Sequence, residues 1–185
     1  MFDRKLSSAA RSAAYCAGAL MLCSSASAMG DHSAYDQAKA SARSTFEADR
    51  KACDSLSGNG KDVCLAEARA KRARTVGSAE AAWKDTPKAR EHAAHEVAVA
   101  DYKVARERCA AKAGNDKDVC LAQAKAARVK VQADARAMRS GAEAHIDASK
   151  DKREAEYKVA AQRCDAFAGD AKSHCVADAR AQYSQ

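Results

Sequence analysis

Six cysteines in this chain are spaced so that they could either cross-link the backbone or hold a metal ion. They form three pairs, Cys53 with Cys64, Cys109 with Cys120 and Cys164 with Cys175, each with ten residues between its members. Zinc sites usually draw on closely spaced Cys or Cys/His pairs such as C-x-x-C, which are absent here. On one unbroken helix, residues eleven apart lie about 16 Å from each other, well beyond the ~7 Å Cα separation that a disulfide tolerates. A disulfide therefore requires the chain to reverse between the two cysteines. Each intervening segment contains what a reversal needs: a glycine five residues after the first Cys (Gly58, Gly114, Gly169), followed by Asn59, Asn115 or Asp170. Glycine at C′ takes the left-handed conformation that ends a helix. Asn or Asp after it caps the next one, with Asp62 or Asp118 in its first turn. A lysine follows eight residues after the first Cys, at Lys61, Lys117 and Lys172. The expectation is three αα-hairpins, each closed by a disulfide, around 53–64, 109–120 and 164–175.

The other candidate for chemistry is Glu91-His92-Ala93-Ala94-His95-Glu96. His92 and His95 stand one helical turn apart and could hold zinc or copper. The stretch lacks the H-E-x-x-H order and a third ligand, so it reads as a solvated helix face, with no cofactor expected. His174, beside Cys175, would lower the pKa of a free thiol; a pair repeated three times points to cross-links. No Gly-rich phosphate loop, nucleophile elbow or C-x-x-C redox motif is present, and the reading is of a protein that is not an enzyme.

The elements that position these residues begin with an export signal. Residues 1–28 have a basic start (Arg4, Lys5, Arg11), an apolar run from Ala13 to Leu22, and Ala26-Ser27-Ala28 as an A-x-A cleavage site. Leu22 is too bulky to make Cys23 a lipobox cysteine. Cleavage would remove Cys16 and Cys23 and leave six cysteines, all paired, as suits the periplasm or the extracellular space. The remaining chain, 29–185, has no other run long and apolar enough to cross a membrane. It reads as one helical repeat domain, rich in Ala, Lys, Arg, Asp and Glu, with a single proline. Large apolar side chains are scarce. Buried Ala contributes little beside the roughly 1.5–3 kcal/mol of a buried Leu or Val, so three loop-closing bridges of about 3 kcal/mol each would offset a thin core.

The repeat reaches beyond the cysteines. An aromatic residue precedes each first Cys by seven positions (Phe46, Tyr102, Tyr157), on the same helix face, and should pack beneath the disulfide. Leu65, Leu121 or Val176 follows each second Cys, then Ala-x-Ala and a base, Arg69, Lys125 or Arg180. Two breaks separate the hairpins. Asp85-Thr86-Pro87 has a cap and a first-turn proline, and Ser140-Gly141-Ala142-Glu143 has capping-box spacing. If both reverse the chain, six antiparallel helices form a bundle with all three disulfides at one end. If they only kink it, the molecule is an elongated array of long helices. The fold class is all-α in either case, and the bundle, or a partly opened version of it, is the favoured form.

The chain carries a net charge of +7, or +5 without residues 1–28, which hold Arg4, Lys5, Arg11 and Asp3. Much of it lies in two stripes, Arg69, Lys71, Arg72 and Arg74, then Lys125, Arg128 and Lys130. These read as a solvated, ion-paired face, or as a contact for anionic lipid, lipopolysaccharide or peptidoglycan. Nucleic acid is not expected as a partner of an exported chain.

The Arg-Cys…Gly-Asn-Asp-Lys-Asp-Val-Cys-Leu-Ala-Gln-Ala-Lys pattern around Cys109 and Cys120, with its relatives at Cys53 and Cys164, resembles exported Ala- and Lys-rich helical proteins of proteobacteria. These are often labelled TolA-like or cell-envelope proteins. The resemblance implies an envelope location and no established activity. Three classes of function follow: a non-catalytic structural or interaction module of the envelope, a small periplasmic chaperone or stress protein, and a metal binder using His92 and His95.

Overall fold

A computed structural model describes residues 31–183; the expected signal peptide, 1–28, lies outside them. Five α-helices follow one another: α1 (His32–Ala52), α2 (Gly58–Lys84), α3 (Pro87–Ala110), α4 (Gly114–Cys164) and α5 (Gly169–Tyr183). The chain is all-α, and the three C-x10-C segments form its hairpin turns.

Each turn follows one plan. The first helix ends at or next to the first Cys, whose carbonyl accepts from the amide three residues on: Leu56 to Cys53, Lys112 to Cys109 and Phe167 to Cys164, at 3.0 to 3.1 Å. Gly58, Gly114 and Gly169 then take φ of +53° to +57°, a conformation in which an L side chain is strained. They sit at the first position of the second helix instead of C′ of the first, because the 3-10 turn after the cysteine already ends the first helix. The expected Asn caps, Asn59 and Asn115, therefore lie two residues past the N-cap positions. The N-cap positions are Ser57 and Ala113, without a side-chain bond. Asp62 and Asp118 fall beyond the first turn, which holds Asp116 and Asp170 in the second and third copies.

The two other breaks behave differently. At 85–87 the chain reverses. Asp85 adopts the left-handed conformation, Thr86 Oγ1 accepts from the Ala89 amide at 3.1 Å, and Pro87 opens α3. At 140–141 it does not break: α4 runs through for 51 residues, about 75 Å. Arg139 explains why. It donates to Glu91 of α3 at 2.8 Å and pairs with Glu143 at 3.3 Å, so Glu143 is engaged along the helix and does not fold back as a cap. A lone mid-helix glycine costs about 1 kcal/mol, which a helix docked on both sides of it can carry.

The six-helix bundle with all bridges at one end is therefore not formed. Helices α1 to α4 run back and forth as an antiparallel layer, each packing only on its neighbours in sequence. Cys53–Cys64 and Cys109–Cys120 lie at one end of this layer, and α4 carries the third bridge to its far end. Arg128 and Arg139, which meet α3, and Tyr157 and Cys164, which meet α5, fall within about 20° on an ideal helix. Thus α3 and α5 dock on one face of α4, one after the other. Between them residues 143–148 are all exposed, a solvent-bridging stretch of single helix.

The core is as thin as composition implies. Among the described residues the buried apolar ones are nine alanines, Val104, and Cys53, Cys109 and Cys164, and those three cysteines are the largest side chains fully buried. Gly77 lets α2 approach α3 closely: a Cβ there would stand 3.3 Å from the Ala93 Cβ.

Candidate functional site

The three cysteine pairs are disulfides, with Cα separations of 5.8, 5.7 and 5.7 Å. In each, the first cysteine is buried at the helix interface, while Cys64, Cys120 and Cys175 remain partly accessible. The repeated lysine closes the turn on the outside. Lys61 pairs with Asp54 at 3.0 Å and Lys172 with Asp165 at 2.8 Å; the middle copy has Ala110 in the place of that aspartate. Such exposed pairs contribute a few tenths of a kcal/mol.

The aromatics before each bridge lie on the helix interface and meet arginines of the facing helix. Arg72 lies over the Phe46 ring at 5.6 Å and Arg128 over Tyr102 at 4.6 Å, while Arg180 Nε donates to the Tyr157 hydroxyl at 3.4 Å. The rings are half-buried, which suits packing beneath the guanidinium stems and cation–π attraction.

These contacts divide the basic stripes. Lys71 turns to Asp49 of α1 at 2.9 Å, and Arg74 turns the other way, to Asp101 of α3. Arg69 lines a groove of about 680 Å³ between α2 and α3, where Lys103 and Arg106 stand with Asp62, Glu96 and Glu107. With three cations and three carboxylates, this groove has no net attraction for an anion. In the second stripe Arg128 is held over Tyr102, leaving Lys125 and Lys130 exposed. Lys71 and Arg74 of the first stripe thus clip α2 to its two neighbours.

His92 and His95 are both exposed on α3. His95 faces Glu96 at 3.6 Å. Glu80 of α2, which senses the charge of His92, is held by Lys84 at 2.5 Å, and this hydrogen bond keeps its carboxyl below the ordinary carboxylate range. Among the described residues no three His, Cys, Asp or Glu side chains come together to hold a metal ion.

No family model, curated protein or solved structure matches this chain.

Four further contacts escaped the sequence reading. At the open end of α1 and α2, Tyr35 stacks on Trp83 with ring centres 5.0 Å apart, and His32 meets the same indole edge-on at 4.6 Å. Asn59 Nδ2 donates 2.7 Å to the Glu107 carbonyl, tying the first turn to α3. Arg108 pairs with Glu67 at 2.6 Å across the same two helices. Each joins residues 41 to 51 positions apart, and the only signal for them in the sequence was the presence of Trp, Tyr and Asn in an otherwise Ala-rich chain.

Proposed function

We propose that this chain is an exported, non-catalytic helical-repeat protein that serves as a structural or interaction module of the bacterial cell envelope. The observation that carries the reading is the serial packing. Because each helix rests only on its sequence neighbours, the layer hides little of itself and offers long helix faces to other molecules. The face of α4 opposite α3 and α5 carries Ala126, Ala137, Ala148 and Val159, eleven residues apart and all exposed, a spacing that keeps side chains aligned along a helix. Disulfides belong to oxidising compartments. No helix among the described residues is long and apolar enough to cross a membrane. Both facts are compatible with an extracytoplasmic protein, and the periplasm is the location we infer.

The test has two arms. Cell fractionation with thiol alkylation under denaturing conditions should find the processed chain in the periplasmic fraction, with no reactive thiol. A photo-cross-linker at Ala137 or Ala148 should then couple the chain to a protein or an anionic envelope component, while one at exposed Arg43 on α1 should not. Recovery of the chain with free thiols in the cytoplasm, or equal coupling from both helices, would overturn the proposal.

Exposed apolar side chains on α4, among them Met138 at 76% exposure and Ile146 at 52%, favour a second reading, a chaperone that holds unfolded clients. Suppression of aggregation of a reduced client by the oxidised protein, lost in Met138→Asp/Ile146→Asp, would support it. Absence of any protection would remove it.

A further inference from the structure

The three bridges do unequal work, and the inequality marks one of them as a site of exchange. Helix α3 packs on both α2 and α4, so the second bridge closes a hairpin that the layer also holds; α1 packs on α2 alone, but along a 21-residue helix. Around Cys53–Cys64 the hairpin keeps the Phe46–Arg72 contact, the Asp49–Lys71 pair and the Tyr35–Trp83 stack. Around Cys109–Cys120 it keeps Tyr102–Arg128 and Glu91–Arg139. Helix α5 also has a single neighbour among the described residues but a smaller interface with it, where the hairpin keeps the Tyr157–Arg180 bond and the exposed Asp165–Lys172 pair. It is 15 residues long, buries only Ala179, and touches α4 alone. A helix of that length is marginal in water by itself. A groove of about 450 Å³ runs along this bridge, bounded by both cysteines, Arg163, Phe167, His174 and Asp178. Phe167 stands 53% exposed at its end.

We propose that Cys164–Cys175 is a thiol–disulfide exchange site for dithiol reductants, and that its opening releases α5 from α4 while the α1–α4 layer stays folded. A dithiol thiolate attacks Sγ of Cys175, the more accessible sulfur. A mixed disulfide forms, and buried Cys164 leaves as a thiolate. The second thiol of the reductant then attacks its own mixed-disulfide sulfur, so that Cys175 leaves in turn. The products are two cysteine thiols and one oxidised reductant, with two electrons transferred. The sites differ in the reverse step. Where packing holds both arms of an opened bridge in place, the freed thiolate stays beside the mixed disulfide and re-closes it. At the third bridge, release of α5 carries the mixed disulfide away, and reduction runs forward. The uncovered strip, Tyr157, Ala160 and Cys164 with Phe167 beyond it, is then open to other molecules.

The experiment titrates the intact oxidised chain with dithiothreitol, traps thiols by alkylation at each concentration, and follows amide hydrogen exchange. Cys164 and Cys175 should become alkylated at a dithiol concentration about tenfold below that needed for the four cysteines of the other two bridges. Amides of 169–183 should lose protection together with that step, while those of α2 and α3 keep theirs. Because a reductant could act elsewhere, Cys164→Ser/Cys175→Ser is measured without it. Its α5 amides should exchange at least about tenfold faster than in the parent chain, with α2 and α3 unchanged. Opening of all three bridges at one concentration would overturn the proposal, as would α5 amides that stay protected in the double variant.

Discussion

Gly141→Ala tests whether α4 is truly one helix. Gly141 lies inside α4, its φ is not in the left-handed region, and a Cβ built there meets nothing within 4 Å. The substitution therefore adds no clash and removes the backbone entropy that glycine loses on entering a helix, a gain of roughly 0.5–1 kcal/mol. Since residues 143–148 have no covering element, the gain should appear locally, as slower opening of that stretch. A change of about 1 kcal/mol slows amide exchange in the EX2 regime by about fivefold. Hydrogen-exchange mass spectrometry on peptides spanning 136–153 reads this directly. Gly77→Ala serves as the control, because there the added Cβ would stand 3.3 Å from the Ala93 Cβ and press α2 off α3. It should give no protection, or lose some. Faster exchange in Gly141→Ala would mean that the chain turns or bends at 140–141 in a way that needs glycine, and the account of α4 would fail.

Complete reduction removes three cross-links of about 3 kcal/mol each; the melting temperature followed by circular dichroism should fall by well over ten degrees, and an unchanged curve would refute the stapling argument. Gly114→Ala forces a side chain into φ +53° and should destabilise the second hairpin by about 1–2 kcal/mol in denaturant titration; a neutral result would show that the turn relaxes to another geometry. The Glu80 carboxyl is held low, first by its hydrogen bond from Lys84. Its stabilising effect is thus present above the ordinary glutamate range and lost as pH falls below it, so Glu80→Gln should lower stability at neutral pH and converge with the parent chain in acid. A difference that persists in acid would place the effect in packing.

What the sequence made legible was whatever local chemistry decides. Cysteine spacing required three reversals, and Thr86-Pro87 marked a helix start with its cap and its missing donor, without deciding between a reversal and a kink. Scarcity of large apolar residues foretold a thin core of alanines, and in it three cysteines are the largest side chains that are fully buried. Ser140-Gly141 misled because its capping signal is local, while the deciding contact, Arg139 to Glu91, joins residues 48 positions apart. The turn glycines were identified correctly but placed one element too early, since the turn that closes on each first cysteine carbonyl leaves no trace in composition. The basic stripes looked like a surface property. In the first of them Lys71 and Arg74 face two different neighbours, a division set by helix rotation that charge counting does not see.

The bare middle of α4 acts as a ruler. Cys120 and Cys164 are 44 residues apart on one helix, so the second and third bridges stand about 66 Å from each other. Whatever grips the layer and whatever grips the α4–α5 hairpin are held at that distance and at a fixed angle about the rod. Inserting seven or eleven residues near 146 would lengthen the rod by about 10 or 16 Å yet bring α5 back to within roughly 20° of its old bearing, whereas two residues would swing it to the opposite side. If span and bearing matter to the protein's role, the seven-residue and two-residue insertions should differ sharply in what they preserve.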